Sequence, residues 1–214
     1  MDAIADYASS DTNTDTDESP PIPLGPQTGS SQKRRQFPHV DGQFACSVFI
    51  HAPPPPSPAL QIPTNFTAIP TNELHLSLSR TVPIVDAQRH SLLAELTRAV
   101  KKVMSAKHRT KLDVRIGPQP LLLANDDASR TFLALTAHDP TNTLHDLVDA
   151  TTAVFIRHGL PGYYPEKLMH VSFAWRTGDH VARMPPIDDT RTYTVPVNAV
   201  VCRIGKKDFD LISL

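Results

Sequence analysis

Ten histidines are spread through the 214 residues, and three of them open a His-x-Ser/Thr triplet: His75-Leu76-Ser77, His108-Arg109-Thr110 and His170-Val171-Ser172. A histidine two residues ahead of a hydroxyl suits phosphoryl chemistry. The imidazole has an unperturbed pKa of about 6.5 and can take or give a proton near working pH. The hydroxyl donates to a phosphate oxygen at little desolvation cost. Roughly one such triplet is expected by chance in a chain of this make-up, so the surrounding residues decide. His108 lies in the basic run KHRTK with no apolar neighbours, which reads as a solvated turn. His75 lies in ELHLSLSR and His170 in LMHVSFAW, which read as strands.

In an extended chain the side chains alternate. His75, Ser77 and Ser79 are therefore expected on one side, with Leu74, Leu76 and Leu78 on the other. At the second motif, His170 and Ser172 oppose Met169, Val171, Phe173 and Trp175. Each strand buries an apolar face and offers a histidine beside a hydroxyl to a cleft. A single histidine in such a setting is more often structural. A matched pair 95 residues apart, one in each half of the chain, points instead to a pseudo-duplication that closes a shared groove. Cleaving RNA through its own 2′-hydroxyl needs a base for that hydroxyl, an acid for the departing 5′-oxygen and donors for the non-bridging oxygens. Two imidazoles and two serines fill those roles.

Several elements must position them. Periodicity predicts a helix from about Asp86 to Met104, with Leu92, Leu93, Leu96, Val100 and Val103 on one face, and a second from about Thr143 to His158, stopped by Gly159. Strand-like pieces fall at 44–50, 112–116, 121–123, 131–136, 168–175 and 193–202. This mixed order predicts an α+β fold of two small lobes side by side. Residues 1–35, rich in Asp, Thr, Ser and Pro, are expected to be a disordered tail ending in Lys33-Arg34-Arg35, leaving 36–214 as one domain. Prolines 53–56 and Pro58 predict an exposed loop. A formal net charge of -1 excludes a strongly basic nucleic-acid-coating protein, so RNA contact would be local. Cys46 and Cys202 form no C-x-x-C pair, which argues against a zinc knuckle or disulfide scaffold and fits a reducing compartment. The opening residues resemble no secretory or transit signal, and no stretch has the length of a membrane span, so a soluble intracellular protein is expected.

HLSLSRT and HVSFAW resemble the paired motifs of the 2H phosphoesterase superfamily. FPHVDGQFA, NDDASRTFLAL, LHDLV, YYPEKLMHVSFAWRTGD and the terminal CRIGKKDF extend the resemblance over nearly all of 37–214, to the U6 small nuclear RNA 3′-end-processing phosphodiesterases. It implies two pseudo-symmetric lobes, each an antiparallel sheet with flanking helices, around a central groove. It further implies a nuclear, monomeric exoribonuclease acting on the uridine tail of RNA without metal or other cofactor and leaving a 2′,3′-cyclic phosphate, which some relatives open to a monophosphate. The implied site is His75 and His170 as base and acid, Ser77 and Ser172 on the phosphate, Tyr164 stacked on the terminal base and Asp126 at the uracil edge. Relatives commonly carry an Asp-Pro-Ser-like segment just before the second histidine, where this chain has Pro165-Glu166-Lys167-Leu168-Met169. HAPPPPSPALQIPTNF is also longer than the usual connection.

Three other readings compete. A cyclic phosphodiesterase of the same superfamily would use the same four residues but not the tail-binding Tyr164. A non-catalytic RNA-binding module would need neither pair, since stacking and steering do without them. A metallo-hydrolase would call for HExxH or an Asp-rich loop, and the sequence carries neither.

Overall fold

A computed structural model describes residues 40–54, 62–107, 112–181 and 192–213. The expected tail, the His108 triplet and most of the proline run lie outside them. Among the described residues ten strands form one antiparallel sheet: β1 (Gln43–His51), β2 (Thr67–Ala68), β3 (His75–Ser77), β4 (Val82–Val85), β5 (Leu112–Ala124), β6 (Arg130–His138), β7 (His170–Thr177), β8 (Tyr193–Val197), β9 (Ala199–Ile204) and β10 (Lys207–Ser213). Their order is β10-β9-β1-β3-β7-β6-β5-β8, with β4 also on β1 and β2 also on β7. The expected lobes are the two halves of this order. They meet where β3 pairs with β7 through Leu76 and Val171, so the ladder runs unbroken from one lobe to the other.

Two helices, α1 (Arg89–Ala106) and α2 (Thr143–Arg157), pack on each other, and α1 also packs on β9 and β10. In α1 the buried residues are Leu92, Leu96, Val100 and Met104, an i, i+4 stripe. In α2 they include Leu144, Leu147, Val148, Val154 and Phe155. Each large aliphatic side chain so buried contributes roughly 1.5–3 kcal/mol. α2 begins under Asp139, whose carboxylate accepts the N–H groups of Thr141 and Leu144 at 2.8 and 3.0 Å. It ends at Gly159, which takes the left-handed φ of +70° expected of a stop. The α1 region opens with a 3-10 turn at Asp86–Gln88.

Two sequence expectations are corrected. Segments 112–116 and 121–123 are one strand, bent at Gly117 (φ +93°), where the register against β6 shifts. The segment 193–202 is two strands at distant places in the sheet: β8 pairs with β5 and β9 pairs with β1 and β10. Apolar alternation says that a segment is extended but not which partner it takes.

Candidate active site

The central pair β3 and β7 builds the site. With Leu76 set against Val171, the antiparallel register places His75 opposite Ser172 and Ser77 opposite His170. Leu76 and Val171, each 2% exposed, turn to the core, so both histidines and both serines share the other face. Directly opposed side chains have Cβ atoms roughly 4.5–5.5 Å apart and diagonal ones on the order of 7–8 Å. The two imidazoles are the diagonal pair, far enough apart to admit one phosphate. They lie close enough that His170 acts electrostatically on His75.

Both rings are held in the same way. His75 Nδ1 lies 2.7 Å from the carbonyl oxygen of Glu73, and His170 Nδ1 lies 2.8 Å from that of Leu168, each two residues upstream. A carbonyl can only accept, so Nδ1 carries the proton in each ring and donates it. Nε2 is left bare to take a proton or, once protonated, to give one. Both imidazoles are held below the ordinary histidine value. For His75 the cause is first loss of water, then the electrostatic influence of Arg203, His51 and His170, against the opposing bond to Glu73. For His170 it is loss of water alone, against the bond to Leu168. The hydroxyls of Ser77 and Ser172, both half-buried, have no protein partner among the described residues and are free to donate to a ligand oxygen.

At the His170 end stand the two residues expected to read a base. Tyr164 is 41% exposed, with Tyr163 edge-on at 5.4 Å. The Arg80 guanidinium lies 4.7 Å over its ring, and Arg80 Nη2 donates to Asp126 Oδ2 at 2.5 Å. The structure thus gathers Tyr164 and Asp126 around Arg80, a residue the sequence reading left unassigned although it closes the first motif. Burial and then Asp126 raise the Tyr164 hydroxyl's pKa against the pull of Arg80. The Tyr164 segment is pinned to α2, where Tyr163 N–H donates to Thr152 Oγ1 at 3.1 Å. Lys167 pairs with Asp149 of the same helix at 2.5 Å. Gly162 permits this approach, since a Cβ there would stand 2.6 Å from Thr152 Cγ2.

Two residues leave their expected faces. Ser79 was expected beside His75 and Ser77, but it is 6% exposed, accepting from Val48 N–H at 2.8 Å and donating to the Arg80 carbonyl at 2.9 Å. The N–H groups of Leu78 and Ser79 both donate to the Val48 carbonyl, so two residues share one partner and the alternation breaks. Trp175 was expected on the core side. Against β6, however, Ser172 pairs with Ala134 and Ala174 with Leu133, which leaves Phe173 extra. After that bulge Trp175 opposes Phe132 on the groove face, under the Arg130 guanidinium at 4.6 Å.

The His75 end was not foreseen at all. His51 pairs with His75 and Phe49 with Ser77, which brings both onto the groove face. The Phe49 ring stands edge-on to His51 at 5.0 Å and to His75 at 5.3 Å, and the Arg203 guanidinium lies 4.9 Å over it. Only the pairing of β1, β3 and β9, drawn from distant parts of the chain, assembles this cluster. The one sequence signal is the Arg203 and Asp208 pair of opposite charges flanking a Gly-Lys turn.

The chain matches, over residues 4–211, the family described as HVSL, an uncharacterised conserved protein. It belongs to the HVSL family. The human protein named U6 snRNA phosphodiesterase 1 is 28% identical over 171 residues, covering 72% of this HVSL-family chain and 60% of the human one. A Drosophila melanogaster protein of the same name is 25% identical over 197 residues, covering 83% of this chain and 72% of that one. The chain spans 60% and 55% of the length of the human and Dictyostelium discoideum relatives. Among solved structures, Usb1 from Kluyveromyces marxianus aligns with a TM-score of 0.56 at 14% identity, over 79% of this chain and 98% of that one. A structure described only as a phosphoesterase aligns with a TM-score of 0.52 at 12% identity, over 79% and 99%. The fold is that of the 2H phosphoesterases, as the paired motifs implied.

Proposed function

We propose that the chain is a 3′-5′ RNA exonuclease that trims the oligouridine 3′ end of U6 small nuclear RNA, acting in the nucleus as a monomer and without a metal. The observation that carries the reading is the two-fold histidine arrangement, in which each Nδ1 is fixed by a carbonyl two residues back and both rings stand on one face of the β3–β7 pair. U6 small nuclear RNA as the substrate is supported by the names of the human, fly and amoebal relatives, and the uridine end by the resemblance of the Tyr164 and Asp126 segments.

In this mechanism one neutral imidazole takes the proton of the 2′-hydroxyl as O2′ bonds to phosphorus. The P–O5′ bond breaks, and the other imidazole, protonated, delivers its proton to O5′. The upstream fragment keeps a 2′,3′-cyclic phosphate, which water then opens or leaves. Ser77 and Ser172 donate to the non-bridging oxygens, Tyr164 stacks on the terminal uracil, and Asp126, which takes Arg80 on Oδ2, has lone pairs left for the uracil N3 proton. His75 is taken as the base, because loss of water and then the neighbouring Arg203 disfavour its protonated form. His170, without Arg203 beside it, is taken as the acid.

The test is an oligouridine with a free 3′-hydroxyl, incubated in EDTA, with product ends read by mass spectrometry. Shortening from the 3′ end to a cyclic-phosphate or monophosphate terminus supports the reading. If the intact tail is untouched while a preformed cyclic phosphate is opened, the chain is a cyclic phosphodiesterase. Loss of activity in EDTA would point to a metal-bound nucleophile.

A further inference from the structure

The sheet face that carries His75 continues onto β1 and β9 and the cluster around Phe49, which the reaction as described does not use. Arg203 is its cation. It opposes Ser47 on β1, so it projects from the same face as Phe49, Ser77 and His75. Asp208 opposes it on β10 and takes Nε at 2.6 Å and Nη2 at 2.7 Å in a bidentate grip. Phe49, itself 3% exposed, supports the guanidinium from below at 4.9 Å. A long side chain gripped at one edge and stacked on one face has lost most of its rotamer freedom before any ligand arrives. The Nη1 edge has no acceptor among the described residues, and the side chain is 43% exposed. Lys206 and Lys207 stand exposed at the turn of the same hairpin, and His51 borders it on β1. Glu73 and Asp208 are the nearby carboxylates acting on Arg203. Asp208 cancels much of the long-range charge, so what remains is a short-range, directed donor of the kind that reads a phosphate oxygen.

We infer that Arg203, oriented by Asp208 and Phe49, holds the phosphate immediately 5′ of the scissile one, so that the RNA strand enters over β9 and β1 and ends at Tyr164. This rests on the nuclease reading above and gives the strand a direction. The 2′-hydroxyl belongs to the nucleotide upstream of the cut, so its base, His75, faces the incoming strand. The acid, His170, faces the terminal nucleoside and Tyr164. The phosphate one step upstream then falls beyond His75, where Arg203 stands.

The test compares UpU with 5′-phosphorylated pUpU, which differ by that one phosphate. For the wild-type chain pUpU has the lower KM, by about tenfold, the scale of a charge-assisted hydrogen bond. Arg203→Met collapses that ratio towards one, and Arg203→Lys, which keeps the charge but not the bidentate grip, restores part of it. Arg203→Met also lowers the log–log salt slope of oligouridine binding by about 0.7, the single-strand value for one lost phosphate contact. Equal losses on UpU and pUpU, or an unchanged salt slope, overturn the inference and leave Arg203 a positioning residue for His75. If Arg203→Met does not fold, the partial loss expected of Arg203→Lys carries the same comparison. Wild-type cleavage of neither dinucleotide sinks the nuclease reading instead, and wild-type indifference to the 5′-phosphate sinks only the subsite.

Discussion

β3 and β7 present a histidine in the same way and then diverge. Each ring hangs from the carbonyl two residues behind it, each serine faces the other strand's histidine, and each motif buries its middle residue. Beyond the serine the strands part. β3 gives way to a segment whose next serine, Ser79, turns inward to bond the backbone, whereas β7 bulges at Phe173 and brings Trp175 onto the groove. The wider surroundings differ too, with Arg203, His51 and Phe49 gathered at His75 and Arg80, Asp126 and Tyr164 gathered at the His170 end. Local geometry makes the two motifs equivalent as proton carriers. In the proposed mechanism their unlike neighbours give each proton a direction.

The equivalence is broken most severely by removing a ring. His75→Ala and His170→Ala are each expected to lower kcat by about 10²–10⁴-fold, the range of positioned acid–base catalysis, with an unmoved thermal melt. Near wild-type turnover in either variant would remove that residue from the chemistry. Ser77→Ala and Ser172→Ala should each cost on the order of 100-fold in kcat, as loss of one donor to a developing anion does. Loss confined to KM would make them ground-state binders only. Tyr164→Ala should raise KM for oligouridine about tenfold, in line with stacking worth about 1–3 kcal/mol, while Tyr164→Phe keeps the ring and most of the affinity. An Ala variant with unchanged KM would leave Tyr164 a surface residue.

The pH profile sharpens the comparison. One imidazole must be neutral and the other protonated, so kcat/KM is bell-shaped between the two values. Both free-enzyme values are lowered, which moves the window to the acid side of the ordinary 6.5. Phosphate bound between the rings favours their protonated forms, so the kcat profile should lie to the alkaline side of the kcat/KM profile. A monotonic rise with pH would contradict the two-histidine scheme. The smallest expected effect separates Ser79 from Ser77. Ser79→Ala should lower stability by about 1–3 kcal/mol in a denaturant melt, through the unsatisfied Val48 N–H, with little change in kcat. A catalytic defect without a stability loss would return Ser79 to the groove.

The four central residues were legible because a strand's two-residue period is written in the sequence, and His75, Ser77, His170 and Ser172 obey it. Ser79 and Trp175 were misplaced because each lies past a point where two residues share one partner, and a bulge leaves no mark in apolar alternation. The lobes could be read from the order of elements, but the transfer of the chain between them at Asn198 could not. Neither could the Phe49 and Arg203 cluster, since strand pairing between residues more than 150 positions apart has no local signature. Arg80 was visible as the last residue of its motif, and only the fold shows Asp126 and Tyr164 converging on it.

The central claim, that the two rings act on opposite sides of one phosphorus, is tested most directly with a diribonucleotide whose leaving 5′-oxygen is replaced by sulfur. A thiolate departs without an acid. The account predicts that His170→Ala cleaves this substrate at close to the wild-type rate while His75→Ala remains inactive; failure of the sulfur to rescue either variant, or equal rescue of both, would contradict it.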